Sequence, residues 1–450
     1  MRKIVVIGGS AAGMMAAITA AKQDPDAEVT VVSRDRLPYR RPAIPALIAG
    51  YITGPAGAKI FSPETLARYN IKLICPAEAT NIDLESKVIS ILSNGEEEKL
   101  AYDAAVIAAG AYPLIPKIPG SDKKGVCTFT TYEAAAEIVE TAKTASCAVV
   151  VGAGFIALEI AEALMYKGLD VYFNVRSRIL RKLVEPEVSE FLIHKFEQQG
   201  LRMLTGEAIS EVGGKSSVEY VVHKGNKIAT NLVVMGTGVK PNVALAEKCS
   251  IELGPSGAVK LDNRMQTSVV GIYAVGDCAE SPDLGTGRFV YMPVGSIGAS
   301  AGKIAGRNAA GAKEKTTGFL RAQADQILGL QIFSLGHSTT TADEVSLKVK
   351  VHDLTGAGSF DTAKILTDSS DRIVGAQLVA KKHGSQFAWQ LYKAVLEAED
   401  RKEFLQRFNS PRMRVAEALV HALKSTVVVE SLGKDKALTL ADAANRENIN

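Results

Sequence analysis

The sequence predicts an α/β fold with two Rossmann-like domains, followed by an α+β domain at the C-terminal end. Three observations support this prediction. A strand, a glycine turn, a helix and a strand follow one another near Gly8, and the same pattern returns 144 positions later at Gly152. From about residue 318 the pattern changes to strand-like alternation followed by helices. A chain of 450 residues has room for about three domains of this kind.

The composition narrows the class of protein. Hydrophobic residues make up 47% of the chain and charged residues 22%, as in an ordinary soluble protein. The formal net charge of +3 leaves no large basic excess, which argues against nucleic-acid binding. The apolar start "IVVIGGSAAGMMAAITAA" contains three glycines and predicts a strand, a turn and a helix rather than a signal peptide or a membrane span. We therefore expect a cytoplasmic protein.

The cysteines are scattered along the chain. There are five, at positions 75, 127, 147, 249 and 278, with no close pair among them. This spacing argues against a disulfide framework and against a cysteine metal cluster. We therefore predict no metal site and a reducing compartment.

The first Rossmann-like unit begins at the N-terminus. "KIVVIGG" predicts a strand, "AAGMMAAITAAKQ" a helix and "AEVTVVS" a second strand. Further on, Ser62 is a candidate N-cap and Pro63 the first residue of another helix, before the strand "NIKLIC".

The glycine turn of this unit predicts a phosphate site. Gly8, Ser10 and Gly13 stand in a GxGxxG frame whose middle glycine is replaced. Gly8 permits a tight turn, a small residue at position 10 lets the backbone approach a pyrophosphate, and Gly13 lets helix and strand pack closely. A tightly packed turn without a ligand is the alternative. The acid expected at position 33 for an adenosine ribose is absent, so Asp35 is the substitute candidate, or else a solvated loop aspartate.

The second unit, "ASCAVVVGAGFIALEIAEALMYKGLDVYFNV", carries its own fingerprint. Gly152, Gly154 and Ala157 occupy the three fingerprint positions, and Glu159 follows in the predicted helix. This repetition predicts a second dinucleotide site.

The end of the second strand in this unit bears on nucleotide choice. Val175 stands where an acid would bind a ribose hydroxyl, and Arg176 and Arg178 follow. Guanidinium groups favour a 2′-phosphate by charge and by bidentate geometry, so NADPH is slightly favoured over NADH. Surface arginines without a role in nucleotide binding are the alternative.

The order of the motifs points to a family. The two fingerprints alternate with "VIAAGA" and "VVMGTGVKPN" and are followed by "IYAVGDCAE". In this order the chain resembles the FAD-dependent pyridine nucleotide-disulfide oxidoreductases, over essentially its whole length. "GLQIFSLG", "RIVGAQLVA" and "NSPRMR" resemble that family's dimerisation domain.

The resemblance implies a glutathione reductase-like architecture and a homodimer. Residues 1–115 and 241–317 would form the FAD-binding domain in two parts, residues 116–240 the NAD(P)H-binding domain, and residues 318–450 the dimerisation domain. FAD and NAD(P)H are the implied cofactors. The residues predicted to bind them are Gly8, Ser10, Gly13, Asp35, Ala79, Ala109, Gly110, Gly276 and Asp277 for FAD, and Gly152, Gly154, Ala157, Glu159, Arg176, Arg178 and Gly238 in the second unit and at its closing strand.

Two of these roles have structural alternatives. Asp277 would hydrogen-bond the ribitol of FAD, although an aspartate after a glycine is also a common turn. Phe155 matches an aromatic that covers the nicotinamide face of the flavin, although a buried packing phenylalanine explains it as well. Cys278, beside Asp277, is best interpreted as a small buried hydrophobe.

The stretch "LPYRRPAIPALIAGYI" carries no cysteine, whereas the disulfide reductase and coenzyme A-disulfide reductase branches have one there. It resembles the "PYxRPxL" stretch of flavin reductases that serve rubredoxin, ferredoxin or nitrite reductase centres. Arg41 and Pro42 match that pattern, while Ala46 replaces a lysine often found near the flavin. With Phe155, Arg41 and Pro42 are the candidate catalytic residues.

The resemblance therefore implies an FAD-dependent NAD(P)H oxidoreductase without a redox-active disulfide. Its acceptor would be a redox protein of the iron–sulfur or rubredoxin type, or a partner subunit of a larger complex. An NAD(P)H oxidase or small-molecule reductase is one alternative. A catalytically silent flavoprotein subunit is another.

Overall fold

The computed structural model describes residues 1–36, 38–39, 41–54, 63–353, 355, 361–370 and 373–381. The chain divides into two compact units: the first contains residues 1–152, 163–172 and 209–319, and the second contains residues 153–162, 173–208 and the described residues from 320 onward. Ser62, the motif "NSPRMR" and the C-terminal tail lie outside the described residues. The domain boundaries given above stay predictions.

The described residues form a strand, a helix and a strand at the N-terminus, followed by runs of strands with helices between them. The strands are β1 (Lys3–Ile7), β2 (Glu28–Val32), β3 (Ile71–Ile74), β4 (Ala77–Asp83), β5 (Val88–Ser93), β6 (Glu96–Ala101), β7 (Ala104–Ile107), β8 (Ala111–Pro113), β9 (Val126–Cys127), β10 (Cys147–Gly152), β11 (Asp170–Val175), β12 (Arg202–Thr205), β13 (Glu211–Gly213), β14 (Tyr220–His223), β15 (Asn226–Ala229), β16 (Leu232–Gly236), β17 (Val239–Pro241), β18 (Ile272–Ala274), β19 (Ser281–Pro282), β20 (Phe289–Val290), β21 (Ala322–Ile327), β22 (Leu330–Gly336), β23 (Lys350–Asp353), β24 (Thr362–Thr367) and β25 (Ile373–Lys381). The α-helices are α1 (Ala11–Gln23), α2 (Ile44–Ala49), α3 (Pro63–Arg68), α4 (Tyr132–Ala142), α5 (Phe155–Tyr166), α6 (Pro186–Gln198), α7 (Ala244–Lys248), α8 (Gly295–Ala309) and α9 (Thr339–Glu344).

The first unit is organised around a five-stranded parallel sheet in the order β18, β7, β1, β2, β3. The strands β1, β2 and β7 are buried along almost their whole length, because helices or other strands cover both faces of a parallel sheet of this kind. The predicted α/β class with Rossmann-like topology is confirmed. A second parallel group, β9, β16 and β10, the antiparallel sheets β4–β5–β6 and β13–β14–β15, and the strand pairs β8–β17 and β19–β20 also belong to this unit.

Two helices of the first unit pack with almost no space between their backbones. A Cβ atom added at Gly302 of α8 would lie 2.2 Å from the carbonyl oxygen of Ala12 in α1, and one at Gly306 would lie 2.2 Å from that of Ala16. Side chains at these positions would force the helices apart. Helix α8 is therefore a close-packing element behind the first glycine turn.

The second unit contains an antiparallel sheet in the order β21, β22, β25, β24, β23. Strand β22 covers the stretch "LQIFSLG", and β25 covers "IVGAQLVAK", so both quoted sequence signals lie on adjacent central strands. This agrees with the predicted α+β character of the C-terminal region. Of the described helices, none combines the length and the apolar character needed to cross a bilayer.

Candidate functional site

The first glycine turn lies between β1 and α1 and fits a dinucleotide pyrophosphate. Gly8 has φ +122°, and a Cβ there would lie 2.1 Å from the carbonyl oxygen of Ala108. A Cβ at Gly13 would lie 2.0 Å from the carbonyl oxygen of Gly8. Ser10 is the N-cap of α1, yet its side chain makes no capping hydrogen bond, and the first turn holds no acidic residue. The helix N–H groups therefore remain available to an anion.

Asp35 follows β2 and is partly exposed. Burial raises the pKa of its carboxyl, the charge of Glu133 raises it further, and the guanidinium groups of Arg41 and Arg34 partly oppose these effects. Ser33, at the position where an acid was expected, is buried. Asp35 thus has the exposure that a ribose ligand needs, although its role stays a prediction.

Arg41, Gly110 and Asp277 come together although they lie far apart in sequence. The Nη1 atom of Arg41 lies 3.1 Å from Oδ2 of Asp277 in a half-buried ion pair. A Cβ at Gly110 would lie 2.9 Å from Nη2 of Arg41, so the guanidinium occupies the space beside a glycine of positive φ, +71°. Burial raises the pKa of Asp277, and Arg41 partly lowers it.

Neighbouring groups hold this cluster in place. The Tyr291 hydroxyl donates to the carbonyl oxygen of Asp277 at 3.0 Å. The Asn242 side chain donates to the Ala109 carbonyl at 3.3 Å, and its backbone N–H donates to that of Gly110 at 2.9 Å. Sequence reasoning missed both residues: Tyr291 belongs to no quoted motif, and Asn242 ends the motif "VVMGTGVKPN" without a role having been assigned to it.

The remaining predicted residues of the first unit are placed as follows. Pro42 lies exposed in a short 3-10 helix, Arg41–Ala43. Gly276 has φ +76° and opens the 3-10 helix that contains Asp277. Ala79 lies on β4 beside an irregularity in its pairing with β5, and Gly238, with φ +112°, accepts a hydrogen bond from the N–H of Leu114. Their roles in cofactor binding stay predictions.

The thiol of Cys278, the residue after Asp277, is poorly placed to react. Cys278 is fully buried, and the carbonyl oxygens of Ile107 and Val275 both lie within hydrogen-bonding distance of its Sγ atom. Burial raises the pKa of this thiol to about 11. Burial likewise raises the pKa of the Cys127 thiol to about 12. Cys278 is thus the small buried residue that the sequence suggested.

The second fingerprint opens helix α5. Gly152 ends β10, and Gly154 is exposed, with open space where a Cβ would stand. Ala157 is buried at 1% exposure. Phe155, the first residue of α5, is also buried, as the packing alternative expects. These positions leave Gly154 free for close approach by a ligand.

Two acids of α5 bond to residues of the β21–β22 hairpin. Burial and a side-chain hydrogen bond with Asp325 raise the pKa of Glu159 to about 9, and the charges of Asp325 and Glu162 act in the same direction. The Oε1 atom of Glu162 accepts a hydrogen bond from the N–H of Leu328 at 2.8 Å. Glu159 therefore keeps its proton at neutral pH.

The two arginines after β11 differ in their surroundings. Arg176 is exposed and forms no ion pair or hydrogen bond with the described part of the chain. The guanidinium of Arg178 instead donates to the Val184 carbonyl at 2.6 Å and to the Thr340 hydroxyl at 2.9 Å. The sequence presented these residues as equivalent, and the structure separates them.

A buried carboxylate near Arg178 has no counterpart in the sequence predictions. Glu185 is 3% exposed and accepts hydrogen bonds from the backbone and hydroxyl of Thr339 at 2.9 and 2.6 Å, and from the side chain of Gln377 at 3.0 Å. Its position before Pro186 could have marked a helix start. Its long-range partners leave no local signal.

Comparison with known proteins identifies the relatives of this chain. A family model described as pyridine nucleotide-disulphide oxidoreductase matches residues 2–290. An "NADH oxidase" of Methanocaldococcus jannaschii is 32% identical, over 84% of this chain and 87% of the relative. An "NAD(P)H sulfur oxidoreductase (CoA-dependent)" of Pyrococcus furiosus is 32% identical, over 84% and 88%. The structure of an NAD-dependent persulfide reductase from A. fulgidus superimposes with a TM-score of 0.80 at 30% identity, covering 84% of this chain and 74% of that one.

Proposed function

The chain belongs to the pyridine nucleotide-disulphide oxidoreductase family, and we propose that it is a member that exchanges electrons with a redox protein without using a disulfide. It is an FAD-dependent NAD(P)H oxidoreductase. The proposed acceptor is an iron–sulfur or rubredoxin-type protein, or a partner subunit that carries such a centre. When bound, FAD supplies the chemistry that takes up two electrons from the nicotinamide nucleotide and releases them singly or in pairs.

One observation carries the proposal. The stretch in which the disulfide reductase branches carry a cysteine here contributes Arg41, which forms an ion pair with Asp277. A thiol relay needs a cysteine with a lowered pKa and access to its partner. Cys278, the cysteine beside Asp277, is buried, and its pKa is raised. Without a thiol relay, bound FAD would pass electrons directly to an external acceptor.

In this proposal the chain positions both cofactors. The open N–H groups of α1 would hold the FAD pyrophosphate, and the carboxylate of Asp277 would hold the ribitol, oriented by Arg41. The second fingerprint would bind NAD(P)H. NADPH is slightly favoured, because an exposed cation, Arg176, follows β11 where an acid would repel a 2′-phosphate.

An NAD(P)H oxidase is the second candidate. It is favoured by the M. jannaschii relative, which is named "NADH oxidase" and matches most of this chain. The two functions differ in how fast the reduced enzyme returns to the oxidised state in air.

The deciding experiment is anaerobic stopped-flow absorbance of the FAD-loaded protein mixed with NADH or NADPH. We expect bleaching at about 450 nm within the turnover time of ordinary enzymes, about 0.1 s. Absorbance should recover on addition of oxidised rubredoxin or ferredoxin and only slowly in air. Fast recovery in air alone supports the oxidase. No bleaching by either nucleotide contradicts both functions and indicates a silent subunit.

A further inference from the structure

The loop from 176 to 185, hereafter the ribose loop, follows β11, where a Rossmann-like unit reads the adenosine ribose of its nucleotide. It is held on two sides within the second unit. On one side, the N–H of Leu180 donates to the carbonyl oxygen of Ala153, in the turn of the second fingerprint. Leu180 has φ +50°, a strained value for a leucine, so the loop adopts its shape only while other contacts enforce it.

On the other side, the ribose loop bonds to the region that the sequence assigned to dimerisation. The Ser334 hydroxyl donates to the Leu183 carbonyl at 2.7 Å, and that of Ser338 donates to the Lys182 carbonyl at 3.1 Å. Lys182 forms an exposed ion pair with Glu344 at 2.8 Å. Strand β22, the N-cap of α9 and α9 itself therefore contact the loop at Leu183 and Lys182.

Two further contacts at the N-terminus of α9 involve charged groups of the loop, of which one is buried and the other half-buried. The carboxylate of Glu185 accepts hydrogen bonds from the backbone N–H and the hydroxyl of Thr339. The guanidinium of Arg178 bridges the Val184 carbonyl and the Thr340 hydroxyl. Hydrogen bonds to charged groups are stronger than neutral ones, so these contacts fix the loop more firmly than the serine contacts do.

These observations assign different tasks to the two arginines. Arg178 is already engaged on both sides, and using it to bind a phosphate would break its bonds to the loop and to α9. Arg176 projects from the same loop into solvent and is available. We propose that Thr340 is a positioning residue for nucleotide selectivity: through Arg178 it holds the ribose loop in the shape that lets Arg176 read the 2′-phosphate of NADP(H). The inference rests on the proposed NAD(P)H site, and places part of that site's selectivity in helix α9.

The test measures binding of the oxidised nucleotides NADP⁺ and NAD⁺ to the full-length, FAD-loaded protein by titration calorimetry, so that no electron acceptor is involved. Thr340→Val removes the hydroxyl with little change in volume, and Thr340→Ser keeps it as the matched control. We expect Thr340→Val to weaken NADP⁺ binding about three- to tenfold, with NAD⁺ affinity within about twofold of wild type. Thr340→Ser should bind both nucleotides as the wild type does.

The same substitution in an Arg176→Ala background separates positioning from general damage. If Thr340 acts through Arg176, Thr340→Val causes no further loss of NADP⁺ affinity once Arg176 is gone. An equal loss in both backgrounds, or no loss in either, overturns the proposal. FAD content and the melting temperature confirm that each variant is folded. A wild type that binds neither nucleotide overturns the nucleotide site and this inference together, whereas normal binding with unaffected variants overturns the inference alone.

Discussion

Glu159 shows how one residue can link folding to proton uptake. Its carboxyl lies beside that of Asp325, and its pKa is raised to about 9 from an ordinary value of 4.5, chiefly by burial. Between these two values the folded protein keeps a proton that the unfolded chain has released. Stability contributed by this site therefore falls as the pH rises through that window.

Replacing Glu159 with glutamine should abolish this pH dependence, because the amide is neutral throughout. We expect the melting temperature of Glu159→Gln to match that of the wild type near pH 5 and to exceed it by about 2 °C near pH 8. Differential scanning calorimetry at both pH values measures the difference. Glu97→Gln, on an exposed strand position, serves as the control. A difference that stays constant with pH would show that Glu159 is ionised in the folded protein.

At the scale of elements, the packing of α1 against α8 determines how the first glycine turn is supported. Gly302 and Gly306 bring the two helix backbones into direct contact just behind the residues that follow Ser10. The distance between the helices is thus set by the absence of side chains. A larger residue would displace α1, which carries the predicted phosphate-binding N-terminus.

The substitution Gly302→Ala tests this arrangement. The added Cβ would overlap the carbonyl oxygen of Ala12, so we expect destabilisation of about 1–3 kcal/mol and weaker retention of FAD. Gly295→Ala, on the same helix with open space around the added atom, is the matched control and should retain FAD normally. Thermal unfolding and the ratio of flavin to protein absorbance measure both effects. Equal behaviour of the two variants would contradict the close packing.

At the scale of the whole molecule, the second unit joins segments that the sequence assigned to different domains. Helix α5 and the ribose loop belong to the predicted NAD(P)H-binding range, whereas β21, β22 and α9 belong to the predicted dimerisation range. Glu162 with Leu328, and Glu185 with Gln377, connect the two ranges by hydrogen bonds. Nucleotide binding at the second fingerprint should therefore affect both of these ranges.

Hydrogen–deuterium exchange can detect this coupling. We expect NADP⁺ to slow exchange in the ribose loop and also in α9, by about threefold or more, because ordering one side of the shared network orders the other. Strand β23, at the edge of the same sheet, should exchange at an unchanged rate. Slowing confined to the ribose loop would show that α9 is a passive neighbour.

The sequence predicted what is encoded locally. The turn at Gly8, the helix after it and the parallel strands around it follow from residue spacing within about 30 positions, and all of them are present. The bond between Arg41 and Asp277 spans 236 positions, and that between Glu185 and Gln377 spans 192. No periodicity relates such residues, since only the folded chain brings them together. For the same reason Arg176 and Arg178 could not be distinguished before the folded chain was described.

The bonds between the ribose loop and α9 also matter for protein engineering. A common plan for exchanging coenzyme preference is to graft the loop after the second strand from a relative. Here such a graft would leave Thr339, Thr340 and Gln377 facing a foreign backbone, and the buried Glu185, the partner of Thr339 and Gln377, would be lost. A transferable cassette would therefore comprise three distant stretches of the gene, encoding residues 176–185, β22 with α9, and the part of β25 that carries Gln377.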